Sequence, residues 1–216
     1  MTIPAEGIRI EDHPDRNVIR VQLANNVVLK GMTAAQMVEL EPHLIVVDRH
    51  KGDWLLNQGV HEMEQYFILD GILKRVVANH EGHEMILRFA EEGEMETSYA
   101  AWRLGTPAPY SIVCVTHARV AKLPLREWVA FIERHPALKQ SFEYEVMKHM
   151  SEIMAHTITL HLLDAPGRVK RFFRKHADLV ERIPDRIEVA RRESETVESI
   201  THASVLKDPD RRTSAP

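Results

Sequence analysis

Between Leu44 and Pro124 the apolar residues come in short runs: LIVV, WLL, YFIL, ILKRVV, MILRF, SIVCV and VAKLP. Turn-forming stretches such as KGD, NQG, DG, ANHEGHE and AEEGE set them apart. Short β-prone runs at this spacing, with glycine in the gaps, predict an antiparallel barrel or roll rather than a βαβ sheet. Asn79-His80-Glu81-Gly82 has the make-up of a hairpin turn between ILKRVV and MILRF, because glycine tolerates the positive φ a tight turn requires. Gly59, Gly71 and Gly93 occupy comparable corners.

The periodicity changes on either side of this region. Met32 to Leu40 (MTAAQMVEL) reads as a short helix with Thr33 as its N-cap. The stretch after Pro124 reads as another, ending before Pro136. A long helix is predicted from about Pro136 to Leu163, with proline at its first position and no further Pro or Gly before Pro166. Leu138, Phe142, Val146, Met150, Ile153, Thr157 and Leu160 follow three-four spacing along one face, and Met147, Met154, Ile158 and Leu162 broaden it. Such a helix spans about 40 Å, more than a roll beside it covers. Its apolar stripe therefore predicts a symmetric parallel dimer through Phe142, Val146, Met150, Ile153, Thr157 and Leu160. A purely intramolecular helix is the competing reading. Beyond Asp164 the chain stays helix-prone but polar, and KDPDRRTSAP reads as a disordered tail.

Composition narrows the class. Of 216 residues 44% are hydrophobic and 28% charged, an ordinary core-forming mixture. No apolar run approaches the roughly 20 residues of a membrane helix, and the N-terminus lacks a signal pattern, so a soluble, cytoplasmic protein with no membrane partner is expected. The single cysteine, Cys114, excludes an internal disulfide and a cysteine-built zinc or iron–sulfur site within one chain. Net charge is −4, but GRVKRFFRK (Gly167 to Lys175), Arg191, Arg192, Arg211 and Arg212 form a local basic stripe. That stripe reads either as a solvated helix face or as a nucleic-acid contact.

Four stretches in order carry a family resemblance: KGDWLLNQG (Lys51 to Gly59), YFILDGILKRV (Tyr66 to Val76), EGHEMILRFAEEGE (Glu81 to Glu94) and LLDAPGRV (Leu162 to Val169). Together with the long helix they resemble the Crp/Fnr family of bacterial transcription regulators, from about Met32 to Ile200. The resemblance implies an α+β fold: an antiparallel β-roll (a cyclic-nucleotide-binding-like jelly roll), a long dimerisation helix and a small C-terminal helix-turn-helix-like module. The corresponding division is 1–135 for the N-terminal segment and roll, 136–163 for the dimerisation helix, 164–206 for the helical module and 207–216 for the tail. The partners implied are a second copy, DNA and an unidentified small-molecule effector; no cofactor is implied.

Two parts depart from the family pattern. Nucleotide-binding members have Gly-Glu after the glycine matching Gly93, and Arg-Ser or Arg-Thr at the next strand. The Arg pairs with the cyclic phosphate and the Glu accepts from the ribose hydroxyl. Here the matching positions are Thr97-Ser98 and Tyr110-Ser111, so the guanidinium and the carboxylate are both missing there. Tight binding of cAMP or cGMP is not expected. GTPAPYS (Gly105 to Ser111) is similar to a branch whose pocket takes a neutral or hydrophobic effector, or none. Thr97, Ser98, Tyr110 and Ser111, with Ile153 and Met154 of the long helix, form the candidate effector pocket; the plainer reading is that they close the roll. In the C-terminal module, IEVARRESETVESI (Ile187 to Ile200) lacks the turn glycine, and Ser194 and Ser199 stand where a base-reading Arg is expected. The candidate DNA-binding residues are Arg191, Arg192, Ser194, Glu195, Thr196 and Ser199. The alternative is a sensor or interaction module that has lost sequence-specific DNA binding.

Other chemistry has little support. No nucleophile, P-loop or HExxH motif occurs, and an enzyme is not expected. The acidic run Glu91, Glu92, Glu94 and Glu96 reads as a solvated loop. Of 13 histidines, His80 and His83 flank the hairpin turn, while His149 and His156 lie seven apart on the long helix, placed to titrate at a dimer seam. None shows metal-ligand or haem-ligand spacing.

Overall fold

The computed structural model describes residues 7–175 and Arg182. Two antiparallel sheets face each other, as the alternation of short apolar runs and glycine turns predicts. The first is ordered β1 (Ile8–Arg9), β2 (Ile45–Arg49), β9 (Ala118–Pro124), β4 (Glu64–Asp70) and β7 (Met95–Thr97). The second is ordered β3 (Trp54–Leu56), β8 (Ser111–Cys114), β5 (Leu73–Ala78) and β6 (Glu84–Ala90). Helices α1 (Arg16–Ala24) and α2 (Ala34–Leu40) precede the roll, and α3 (Tyr99–Leu104) joins β7 to β8. Helices α4 (Leu125–Glu133), α5 (Pro136–Leu162) and α6 (Ala165–Lys175) follow it. The result is the α+β roll-and-helix architecture expected.

Local chemistry sets the boundaries. Thr33 caps α2 through a reciprocal box: its hydroxyl accepts from the Gln36 N–H and the Gln36 side chain accepts from the Thr33 N–H. In the β5–β6 hairpin, Asn79 Oδ1 accepts from the N–H groups of Glu81 and His83, and Gly82 takes a φ of +83°. Gly71 combines a positive φ with a close approach: a Cβ there would lie 2.2 Å from the His117 carbonyl oxygen. Helix α1 has no counterpart in the sequence reading; between polar flanks, only Ile19 and Leu23 are buried.

An aromatic stack ties the helices to the roll. Trp128 of α4 packs edge-on against Phe67 of β4 at 5.2 Å and Phe142 of α5 at 5.4 Å, and Phe142 meets Tyr99 of α3 at 5.0 Å. Complete burial of Phe142 contributes about 2 kcal/mol by area alone.

The four-stranded sheet is covered on both faces. Leu73, Ile112 and Cys114 point into the main core. Ile72, Val76, Ile86, Phe89, Val113 and Val115 form a second cluster with Phe172 of α6, whose ring centre lies 5.9 Å from that of Phe89. Strict alternation would place Arg88 on the same face as Ile86, outside the roll. The β5–β6 register instead pairs Val76 with Ile86 and Arg75 with Arg88, passing over Leu87. That bulge turns Arg88 inward.

Helix α5 is apolar on two sides. Leu138, Phe142, His149 and Leu160 are buried against the chain's own roll and helices. Tyr144, Met147, Met150, Met154, Ile158 and Leu162 face outward, each at least half exposed. These two faces lie roughly 150° apart at about 100° per residue.

Candidate functional site

The interior of the roll holds an ion cluster built from both sheets. Arg75 and Arg88 stand directly opposite each other on β5 and β6, and both are buried. Like charges at such a pair destabilise the ladder unless a counter-ion intervenes. Glu96 of β7, 1% exposed, supplies it from the facing sheet. Arg75 Nε donates to Glu96 Oε2 at 3.0 Å, and its Nη2 donates to the same oxygen and to the Thr97 carbonyl at 3.2 Å. Arg88 Nη1 donates to Glu96 Oε1, while its Nη2 reaches both carboxylate oxygens of Glu94 at 3.3 Å. Burial works to raise the Glu96 pKa, but Arg75 and Arg88 outweigh it and hold the carboxylate below its usual range. Burial dominates at Glu94 and raises its pKa against the pull of Arg88.

The cluster extends to the helices and the β7–β8 connection. Arg88 Nη1 lies 3.4 Å from His149 Nδ1 on α5. A guanidinium only donates, so His149 accepts through Nδ1 as a neutral ring. Burial first, and Arg88 next, push its pKa down to about 3. The Arg75 guanidinium stacks 4.1 Å from the centre of the Tyr110 ring, and the Tyr110 hydroxyl donates to the Thr97 carbonyl at 2.6 Å. Thr97 Oγ1, Ser98 Oγ and Arg88 Nε are buried without a protein hydrogen-bond partner, so the interior keeps hydrogen-bonding capacity that the cluster does not use.

Thr97, Ser98, Tyr110 and Ser111 are all buried, as a pocket or a closed roll requires. Tyr110 bonds to Thr97, while Ser111 Oγ accepts from the Gln58 N–H at 2.9 Å. Ile153 is half-buried and Met154 is 61% exposed, so α5 offers His149 rather than Met154 to the interior. A wide groove lined by Arg49, Trp54, Trp102 and Lys122 lies elsewhere and includes none of the four.

Several expectations change. The guanidinium and carboxylate absent from the matched positions are present in the roll at Arg75, Arg88 and Glu96, engaged with each other. The acidic run is a solvated loop only in its first half: the Glu91 and Glu92 side chains reach solvent and meet Arg182 at 3.4 and 2.7 Å, whereas Glu94 meets Arg88 and Glu96 is buried. His149 and His156 do not sit on the open face of α5. His149 faces Arg88, and His156 Nε2 meets the Ile86 carbonyl at 3.2 Å. In the dimer set, Phe142 and Leu160 are buried within the protomer and Val146, Ile153 and Thr157 are half-buried, leaving Met150 as the exposed member. The roll occupies that side, and the open stripe lies around Met147, Met154 and Ile158. Arg191, Arg192, Ser194, Glu195, Thr196 and Ser199 lie outside the described residues, as do the tail and most of the 164–206 module.

The charged residues that the sequence reading passed over carried one signal. Arg88 stands inside the apolar run Met85–Ala90 of β6, where a charge is retained only with a partner. Cys114 offers no nucleophile: burial, then Asp53, push its thiol up to about 12. Among the described residues no group of three or more His, Cys, Asp or Glu is placed to hold a metal, and no helix is long and apolar enough to cross a membrane.

The cyclic nucleotide-binding domain family matches residues 46–135, the roll and the helix after it. The chain is similar in structure to CLP of Xanthomonas campestris, a c-di-GMP responsive global regulator, with a TM-score of 0.59 and 11% identity over 78% of this chain and 93% of that one. It is similar to the sensor domain of the transcriptional regulator DNR from Pseudomonas aeruginosa, with a TM-score of 0.55 and 15% identity over 64% and 93%. A candidate cyclic nucleotide binding protein from Ruegeria pomeroyi gives a TM-score of 0.53 and 17% identity over 87% and 89%. At these identities the likeness is one of fold. No curated protein matches the chain.

Removing the counter-ion should be costly. Glu96→Gln is expected to lower unfolding free energy by about 3–5 kcal/mol in urea titration, whereas Lys139→Met, which breaks the exposed pair with Glu133, costs less than about 1 kcal/mol. His149 should leave a pH signature. Its folded pKa, about 3, lies below the unfolded value near 6.5, so between them only the unfolded chain takes up the proton. The His149 contribution is complete above about pH 6.5 and declines as pH falls towards 3, by up to about 1.4 kcal/mol per pH unit. His149→Gln is expected to show a shallower fall in stability over that window, and equal slopes would contradict this assignment.

Proposed function

We propose that this chain, with its cyclic nucleotide-binding-type β-roll, is a homodimeric transcription regulator of Crp/Fnr type whose roll does not respond to cAMP or cGMP. The observation that carries the reading is the outward stripe of α5: Tyr144, Met147, Met150, Met154, Ile158 and Leu162. Long apolar side chains at three-four spacing on the open side of a 27-residue helix match a parallel helix pair about a two-fold axis. The transcriptional regulators among its structural neighbours support the same reading, and the segment 187–200 would supply the DNA contact.

Charge bookkeeping in the roll argues against a cyclic nucleotide. A buried phosphate needs a guanidinium to neutralise it. Arg75 and Arg88 are engaged by Glu96 and Glu94, and Tyr110 lies against Arg75. A second anion would have to displace a carboxylate already held by two arginines. The unused hydrogen-bonding atoms of Thr97 and Ser98 suit a neutral polar effector instead. Such a ligand would reach α5 through Arg88 and His149, shifting the relative populations of two helix placements.

Isothermal titration with cAMP and with cGMP is expected to show no binding at micromolar concentration, and micromolar binding of either defeats the pocket argument. In sedimentation equilibrium the chain is expected to be a dimer, with Ile158→Glu weakening association by about 100-fold or more. Electrophoretic binding to duplex DNA across a salt series then separates the alternatives. Sequence preference with steep loss in salt supports the regulator; a dimer with neither supports an interaction module that has lost DNA reading.

A further inference from the structure

On one side the roll opens into a groove between the edge strand β3 and the β2–β9–β4 ladder. The register gives its length. Arg49 stands opposite Ala118 and Glu64 opposite Pro124, so the groove follows β9 from Ala118 to Pro124, about 20 Å of extended chain. Its volume, about 1370 Å³, exceeds the roughly 300–1,000 Å³ of pockets that enclose a small ligand. Two tryptophans line it: Trp54 on β3 is 47% exposed, and Trp102 of α3 is half-buried. Most of the charges are committed. Lys122 Nζ donates to both Glu64 oxygens at 2.9 Å, and Asp53 Oδ2 accepts from the His50 N–H at 2.9 Å. Arg49 differs. It is half-buried and donates to the Asp48 carbonyl at 2.9 Å, and among the described residues it has no carboxylate within ion-pair reach. Arg126 and Glu62, both exposed, lie at the other end.

We propose that this groove receives an extended acidic–aromatic segment of a partner protein. A guanidinium held partly away from water gains most from a carboxylate that accepts from its planar fork, so an aspartate or glutamate of the segment seats at Arg49. The two indoles offer flat apolar area, so aromatic side chains of the segment lie against Trp54 and Trp102. About six residues in extended form span the distance from Arg49 to Pro124. The segment does not join the sheet as a further strand. Strand β3 has only three residues, and its Leu55 carbonyl already accepts from the Tyr66 hydroxyl at 2.8 Å, which leaves little free edge to pair with. Binding therefore rests on side chains, with Arg49 and Trp54 foremost. Neither the Arg75–Arg88–Glu96 cluster nor the outward face of α5 contributes to the lining, so the proposal goes beyond the regulator reading and stands independently of it.

The test titrates the full chain with an acetylated, amidated hexapeptide that alternates glutamate with phenylalanine. Two control peptides replace glutamate by glutamine, or phenylalanine by serine. Isothermal titration is expected to show saturable binding of the first peptide, at least about tenfold tighter than either control. In an NMR titration the Trp54 and Trp102 indole N–H resonances should move, while that of Trp128, buried between Phe67 and Phe142, stays in place. Arg49→Gln should weaken binding by about tenfold or more, and Arg49→Lys by less. Trp54→Ala changes an exposed position and should keep the melting temperature while losing affinity by a similar factor. Absence of saturable binding overturns the proposal, as does equal binding of the glutamine peptide, or affinity unchanged in both Arg49→Gln and Trp54→Ala. Phenylacetate bound as tightly as the hexapeptide also overturns it, because the groove would then serve a small acid rather than an extended segment.

Discussion

Two guanidinium groups facing each other across adjacent strands, both out of reach of water, are tolerable only if something between them carries negative charge. In this protein Glu96 meets that need from the opposite sheet, and much of the architecture follows from it. The carboxylate joins β7 to β5 and β6, so the two sheets are held by ionic hydrogen bonds as well as by apolar contact. Glu94 and the Thr97 carbonyl take up further donors, and Tyr110 lies against Arg75. A roll interior arranged in this way carries its own anion.

The cluster also determines what the inner face of the long helix meets. His149 is the α5 side chain placed against Arg88, and it stays neutral because burial and the neighbouring guanidinium both oppose protonation. The Arg88–His149 contact therefore keeps one protonation state across the physiological pH range. On its other side α5 presents methionines, isoleucine and leucine to solvent, so one helix has an inner face committed to its own roll and an outer apolar face left exposed.

Helix α6 is seated on the roll through one aromatic side chain. Phe172 closes a small apolar cluster on the outer face of the four-stranded sheet, opposite the ion cluster on the inner face. The bulge at Leu87 makes both possible, since it leaves Ile86 facing Phe172 while turning Arg88 towards Glu96. One extra residue in β6 thus places the two faces of the sheet in contact with different parts of the molecule.

The features legible in the sequence were those encoded within a few residues. The glycine at the β5–β6 turn, the Thr33 cap, the start of α5 at Pro136 and the alternation of short apolar runs each express a local preference, and together they determined a roll followed by a long helix. The buried site was not legible, because none of its causes is local. Arg88 faces inward through a bulge that depends on pairing with β5; Arg75 meets it through that same register; and Glu96, which looks like one of four carboxylates in an acidic loop, is buried because β7 pairs with β4. Likewise the three-four spacing showed that α5 is apolar without showing which apolar side the roll would cover, since a helix rich in Leu, Met and Ile around most of its circumference suits either orientation. Only the pairing of segments far apart in the chain decides register, burial and facing, and these decided where the charges of this protein meet.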